Sequence, residues 1–208
     1  MSETLSRRDA LVNIGRAIVF TTAGAGVLPP VLAQHVHEAV GEAKSLDPGG
    51  NYQPKFLTSH EYKTLRVLAD MIVPADGHSK GALDGGAPEF IDFLCSRSEE
   101  MAAIYTGGLA WMDNEMRRRV ATPFVDAKLA DRTALLDAIA YKKNETPSLA
   151  PGIRFFKWAR NMVLDAYYTS PVGMKDLGYM GNTAASHFSV PEESLQYALK
   201  RSPFNNEA

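Results

Sequence analysis

Apolar residues recur every three or four positions through most of this chain, and no segment alternates apolar and polar residues for long enough to require a strand. That spacing places apolar side chains on one face of an α-helix. We therefore predict an all-α fold, a single compact helical domain with long ordered loops. The stripes that carry this prediction are Tyr62, Leu65, Leu68, Ala69 and Ile72; Phe90, Ile91, Leu94, Met101 and Ile104; Leu135, Leu136 and Ile139; and Ile153, Phe155, Phe156, Trp158, Met162 and Val163.

Capping residues, prolines and glycines mark where the helices begin and end. Thr58 followed by Glu61 is the capping-box pattern, and Pro74 closes the first helix. We expect the pair Gly107-Gly108 to interrupt the helical pattern, because adjacent glycines favour a break. The other predicted helices are one opened by Pro88, one from Leu109 to Val120, one capped by Asp131, one opened by Pro151 and a last one from Pro191 to Leu199.

The first 33 residues have the layout of an export signal. The pair Arg7-Arg8 precedes a mildly apolar run that extends to Leu32 and is diluted by several glycines and Arg16. Val31-Leu32-Ala33 is a cleavage pattern, so the mature chain is expected to begin near Gln34. Adjacent arginines before a weakly apolar run are typical of the twin-arginine pathway, which exports folded proteins. A retained membrane anchor is the alternative, although a spanning helix needs about 20 strongly apolar residues.

The segment that follows the signal is expected to be irregular. Residues 34–56 contain Asp47-Pro48-Gly49-Gly50-Asn51, a turn-forming cluster, and we assign residues 57–208 to the helical domain. The charge balance adds an exclusion, since 22 Lys and Arg residues against 24 Asp and Glu residues give a net charge of −2. Because a phosphate backbone is bound through an excess of cationic side chains, we expect no nucleic-acid partner.

Two segments between the helices carry more chemical information than the helices themselves. The first runs from Pro74 to Asp92 and the second from Tyr167 to Asn182; both are rich in glycine and in residues that bond their own backbone. Loops of this length are usually functional or disordered. The tyrosines and the central proline of the second loop favour an ordered, functional segment.

These loops, together with the arginine pair, resemble the family called gluconate 2-dehydrogenase subunit 3. The resemblance covers roughly residues 57–182, and its most specific string runs from Tyr168 to Asn182. The other strings that carry it are Ile72-Val73-Pro74-Ala75-Asp76, Gly81-Ala82 and Phe90-Ile91-Asp92.

The resemblance implies a small, non-catalytic subunit of a periplasmic, FAD-dependent sugar or polyol dehydrogenase. In such complexes a large subunit of the glucose-methanol-choline (GMC) type holds the FAD, and a cytochrome c or another carrier takes the electrons. The small subunit carries the signal that the twin-arginine translocase reads, brings the folded flavoprotein across the membrane and supports its maturation and stability.

The chain's own motifs are consistent with that role. It has no Gly-x-Gly-x-x-Gly after a strand and no Cys-x-x-Cys-His, and its single cysteine is too few for an iron–sulfur cluster. We therefore expect no cofactor in this chain; the resemblance implies that the partner subunit holds the FAD.

We expect the partner interface to lie in the two loops, because aromatic and apolar anchors favour interface centres. The second loop could instead fold back over its own core helix. An alternative function is an independent periplasmic ligand-binding protein or metal-dependent enzyme that uses the Asp76/His78 loop. The interface candidates are Asp76, His78, Tyr168, Pro171, Met174, Lys175, Asp176 and Tyr179.

The remaining chemically distinctive residues have simple interpretations. Cys95 is a lone thiol that could form an inter-chain disulfide, but its position four residues after Ile91 also fits a buried, inert thiol. His35 and His37 could share a metal only in an extended chain, and we predict no metal site. We predict no catalytic residue, because the adjacency of Asp76, His78 and Ser79 in sequence says nothing of a catalytic geometry.

Overall fold

The computed structural model describes residues 30–45, 52–179 and 189–202, and within these ranges it shows helices and turns but no strand, which confirms the all-α prediction. The chain divides into two compact units, one ending at Gly178 and one beginning at Tyr179. None of the helices in the described ranges is both long and apolar enough to cross a bilayer. The first unit contains α1 (Pro30–Ser45), α2 (Ser59–Ile72), α3 (Ala87–Cys95), α4 (Glu99–Val120), α5 (Leu129–Ile139), α6 (Ala150–Tyr168) and α7 (Pro171–Asp176), with short 3-10 turns at Phe124–Asp126 and Lys142–Asn144.

Helix α3 lies at the centre of the first unit. Eight of its nine residues are buried, and α1, α2, α4 and α6 all pack against it. Gly86 precedes the helix with a φ of 72°, a left-handed conformation that suits glycine, and Pro88 lies in its first turn as predicted. The stripe of Phe90, Ile91 and Leu94 therefore forms the middle of the core.

A buried carboxylate on α3 holds the segment that precedes α2. The side chain of Asp92 accepts hydrogen bonds from the Tyr52 hydroxyl (2.8 Å) and from the backbone N–H groups of Lys55 (2.6 Å), Phe56 (3.2 Å) and Leu57 (2.8 Å). Asp92 itself is fully buried. Because a buried carboxylate is costly without donors, these four bonds satisfy the charge and fix an otherwise irregular stretch of backbone.

Local signals set several helix boundaries. Thr58 and Glu61 form the predicted capping box at the start of α2, which ends at Ile72, two residues before Pro74. Pro151 lies in the first turn of α6, as its position in the sequence indicated. Helix α5 begins at Leu129 and not after Asp131, which therefore lies in the first turn rather than at the cap.

The predicted break at Gly107-Gly108 is wrong, because α4 continues through both residues without interruption. A Cβ on Gly108 would overlap the ring of Phe155 on α6, whereas one on Gly107 would meet nothing within 4 Å. Gly108 thus permits a close approach of α4 and α6 instead of a turn. The interruption between helices lies earlier in the sequence, between the end of α3 at Cys95 and the start of α4 at Glu99. Ser98 caps α4 by accepting a hydrogen bond from the Met101 N–H (3.3 Å).

Two arginines near the end of α4 converge on one carboxylate. Arg118 donates two hydrogen bonds to Glu115 (2.8 and 2.7 Å), and Arg119 donates one (2.7 Å). The bonds from Arg118 are the main reason that the pKa of Glu115 falls to about 2. This pairing uses the i,i+3 and i,i+4 neighbours that a helix provides.

The expected irregular lead-in over residues 34–56 is helical in its first half. Helix α1 covers Pro30–Ser45, and Ala33, Val36 and Val40 belong to the hydrophobic core. The three residues lie three and four positions apart, so they fall on one helical face. The helix begins at Pro30, and proline is well suited to a first turn.

The second unit is described at Tyr179 and over residues 189–202, and it contains α8 (Glu192–Leu199), close to the predicted last helix. The apolar side chains of Leu195, Tyr197 and Leu199 are exposed. The Arg201 guanidinium lies 3.7 Å from the centre of the Tyr197 ring.

Candidate functional site

The first of the two predicted loops is built around the carboxylate of Asp76. One of its oxygens accepts hydrogen bonds from the backbone N–H groups of His78 and Ser79, both at 2.7 Å, and the Ser79 hydroxyl lies 3.4 Å away. These bonds, with Ser79 first, lower the pKa of Asp76. The carboxylate therefore shapes a tight turn and leaves the His78 side chain exposed.

The same loop closes back on the end of α2. The N–H of Ala82 donates to the carbonyl of Val73 (2.8 Å), and the N–H of Gly81 donates to the side chain of Asp84 (3.1 Å). A Cβ at Gly81 would come within 2.6 Å of the backbone nitrogen of Ala75, so only glycine fits without a backbone shift. The loop is ordered by backbone contacts at both ends.

The second predicted loop contains α7, and it folds tightly onto the end of α6. Ser170 caps α7 by accepting from the Gly173 N–H (3.1 Å), and its hydroxyl donates to the carbonyl of Tyr167 (2.6 Å). A Cβ at Gly173 would overlap that carbonyl. Residues that were expected to form a loop therefore form a short capped helix in a fixed position.

The two loops meet at the buried side chain of Tyr167. Its hydroxyl donates to the backbone carbonyl of Lys80 (2.5 Å) and lies 3.4 Å from the carboxylate of Asp176. A Cβ at Gly85 would lie 2.9 Å from the Tyr167 ring and 3.1 Å from the Ser170 hydroxyl oxygen. We call residues 73–86 and 167–177, joined in this way, the two-loop corner.

The corner includes three apolar side chains that are exposed. Tyr168 and Met174 are each 38% exposed and Leu177 is 60% exposed. Lys175 and Asp176 place charges beside them. Exposed apolar side chains on a rigid, polar-rimmed support are what protein interfaces favour. All eight predicted interface candidates are exposed; they are Asp76, His78, Tyr168, Pro171, Met174, Lys175, Asp176 and, in the second unit, Tyr179.

A cavity of about 270 Å³ between α2 and α4 is a feature that the sequence reasoning missed. His60 contacts the carboxylate of Asp113 there, and Arg117 lies 3.9 Å from the same oxygen. The other oxygen of Asp113 accepts from the N–H of Phe124 (2.9 Å), which fixes the chain after α4. The His–Asp pair has a structural task, and its only sequence signal is a histidine near a helix start.

The histidines near the predicted cleavage position do not converge. Helix α1 turns His35 toward Glu38 (3.4 Å), whereas the Nε2 atom of His37 lies 3.0 Å from the Thr169 hydroxyl. Burial lowers the pKa of His37. The extended chain that a shared metal would require is absent from residues 30–45, and in the described ranges no three His, Cys, Asp or Glu side chains cluster closely enough for a metal.

Cys95 lies at the end of α3 and is 3% exposed. Burial raises the pKa of its thiol. An inter-chain disulfide would require the end of α3 to leave the core, so the structure favours the buried, inert thiol over the bridge to another chain. Arg7 and Arg8, the predicted export residues, lie outside the described residues.

The fold and the corner define a class of protein: an all-helical protein with exposed apolar side chains on two loops that are hydrogen-bonded to each other. The chain belongs to the gluconate 2-dehydrogenase subunit 3 family, whose model matches residues 59–186. The match includes α2 to α7 and both halves of the two-loop corner. Neither a curated protein nor a solved structure matches the chain. Family membership confirms the resemblance, and the family's name implies a subunit of a dehydrogenase complex.

Proposed function

We propose that the chain is the non-catalytic small subunit of a periplasmic, FAD-dependent sugar or polyol dehydrogenase, and that it supports the export, maturation and stability of a GMC-type flavoprotein subunit. The observation that carries the proposal is the two-loop corner, an apolar surface held rigid inside the region that the family model matches. Arg7-Arg8 would supply the export signal for both subunits.

Rigidity is what makes the corner suitable for binding. Tyr168 packs edge to face on Tyr167, with ring centres 5.0 Å apart, and Tyr167 is fixed by the Lys80 carbonyl. Met174 lies on the short helix that Ser170 caps. Because the backbone is already ordered, little conformational entropy is lost on binding. The free energy gained by burying apolar area is therefore offset less, and the affinity is higher.

Binding to the folded flavoprotein would stabilise it by mass action. A small subunit present at about 100 times the dissociation constant adds about 2.7 kcal/mol to the stability of its folded partner. A flavoprotein that has already taken up FAD is the folded form, so the small subunit would favour cofactor-loaded protein before export. No electron transfer through this chain is required.

The binding part of the proposal is tested by co-purification from cells that express both subunits. Met174→Asp and Leu177→Asp introduce carboxylates on the apolar face, and we expect each to reduce the recovered flavin at least about ten-fold. Leu129→Asp is the matched control, because Leu129 is an equally apolar residue, 67% exposed, outside the corner. Equal losses from all three variants, or no loss from the first two, would contradict the proposed interface.

The export part is tested separately by fractionation. Replacing Arg7 and Arg8 with lysine should leave both subunits in the cytoplasm, because the flavoprotein would cross the membrane only with its companion. Normal export of the flavoprotein beside the variant would count against this role. Sugar oxidation by the purified chain alone would count against its being non-catalytic.

A further inference from the structure

The predicted cleavage bond, between Ala33 and Gln34, lies inside a helix. Helix α1 begins at Pro30, so the bond falls in its second turn, and Ala33 is fully buried. A signal peptidase recognises the small residues before the bond, so these residues must be accessible to the enzyme. In the folded chain these residues are helical rather than extended, and Ala33, the residue before the bond, is inaccessible.

Contacts along α1 hold it against the rest of the first unit. Val36 and Val40 are 9% and 5% exposed, and the His37 ring packs on Phe90 with centres 4.8 Å apart. The Thr169 hydroxyl fastens the same histidine at 3.0 Å. Releasing Ala33 therefore requires at least the first turns of α1 to unwind and leave α3.

Proteolysis of a folded protein depends on local opening. A bond inside a docked helix is cut at a rate proportional to the fraction of molecules in which the helix is open, whereas exposed loop tips are cut directly. The cut itself adds water across the amide, leaving a carboxylate on Ala33 and an amino group on Gln34. It also removes the buried Ala33 methyl group from the core.

We infer that docking of α1 protects the Ala33–Gln34 bond, so that removal of the first 33 residues is fast before α1 docks and slow afterwards. A chain that folds before it is exported keeps those residues attached. The biological setting rests on the export role proposed above, but the protection itself depends only on the packing of α1. Folding order, and not the cleavage pattern alone, then determines whether the leader stays on the subunit.

The test compares the purified full chain with variants in which α1 is loosened. Val40→Asp places a charge at a buried position of α1, and Val36→Ser is a milder change on the same face; neither alters residues 31–33. Gly41→Asp is the matched control, because Gly41 is exposed and a Cβ there meets nothing within 4 Å. Each protein is incubated with signal peptidase in detergent, and the products are identified by mass spectrometry.

We expect the full chain and Gly41→Asp to remain intact while Val40→Asp and Val36→Ser are cut after Ala33 at least about ten times faster. Cleavage of the full chain as fast as the loosened variants would overturn the inference, and so would resistance of all four proteins, since burial would then not be the protecting factor. Circular dichroism checks that the variants retain their other helices. The assay contains no flavoprotein, so its outcome is independent of the co-purification test.

Discussion

The two adjacent glycines of α4 give the sharpest prediction, because the same substitution should have opposite effects at neighbouring positions. Gly107 is exposed and a Cβ there meets nothing within 4 Å, so Gly107→Ala should stabilise the helix by about 0.5–1 kcal/mol. At Gly108 a Cβ would lie closer than 3.0 Å to three ring carbons of Phe155, whose side chain is 4% exposed and has little room to move.

The expected magnitude follows from two opposing terms. Overpacking a core costs about 1–3 kcal/mol, and the gain in helix propensity returns about 0.5–1 kcal/mol. Gly108→Ala should therefore destabilise the protein by about 1–2 kcal/mol. In a unit of this size each 1 kcal/mol corresponds to roughly 2–4 °C in Tm.

Urea denaturation followed by circular dichroism measures both variants, and a double-mutant cycle with Phe155→Leu identifies the cause. The smaller side chain should make room for the methyl group, so the cost of Gly108→Ala should shrink by about 1 kcal/mol or more. If Gly108→Ala stabilises the chain as much as Gly107→Ala does, or if the cost is unchanged beside Phe155→Leu, the packing of α4 on α6 is not as described.

Three further predictions concern buried or paired groups. Asp92→Asn replaces one acceptor oxygen by a donor among four donors and should cost about 2–3 kcal/mol in urea denaturation, whereas Asp137→Asn, at an exposed position, should cost almost nothing. The pKa of Glu115 is lower in the folded chain than in the unfolded chain, so the ionised carboxylate stabilises the fold. This contribution is complete above pH 4.5 and is lost as the pH falls toward 2. The difference in unfolding free energy between the wild type and Glu115→Gln should therefore disappear over that window. Cys95 should react with a thiol reagent only as fast as the core opens, so labelling in native buffer as fast as in denaturant would contradict its burial.

Short-range signals in the sequence were sufficient for part of the fold. The capping box of Thr58 and Glu61 is local, and so is the proline in the first turn of α6, so both could be read without knowing what packs where. The same holds for the apolar spacing that predicts an all-α chain. These features depend on neighbours within one or two helical turns.

Features that depend on a distant partner could not be read in this way. A glycine pair favours a break in a helix when nothing packs on it. Here the Phe155 ring packs on Gly108, so the glycine lies in the contact between α4 and α6 and the helix continues. Helix α1 was missed because a turn-forming cluster outweighed a short apolar face, which is buried only when the helix packs on α3.

The two loops of the candidate site were predicted as separate segments. That they contact each other was not predicted. Both loops were singled out by composition, yet only the bond from Tyr167 to the carbonyl of Lys80, 87 positions away, shows that they form one surface. The interface residues are exposed where the prediction needs them, and their binding role stays a prediction. The cavity lined by His60 and Asp113 had no distinctive spacing in the sequence.

The bond between Tyr167 and Lys80 has a consequence for how this chain can diverge during evolution. The Tyr167 hydroxyl donates to the backbone carbonyl of residue 80, which every amino acid has, so the side chain at this position can change without loss of the hydrogen bond. Gly85 and Gly173 have no such freedom, because a methyl group at either would strike the corner itself. Relatives should therefore vary at position 80, whose side chain makes no part of the bond, and keep glycine at positions 85 and 173.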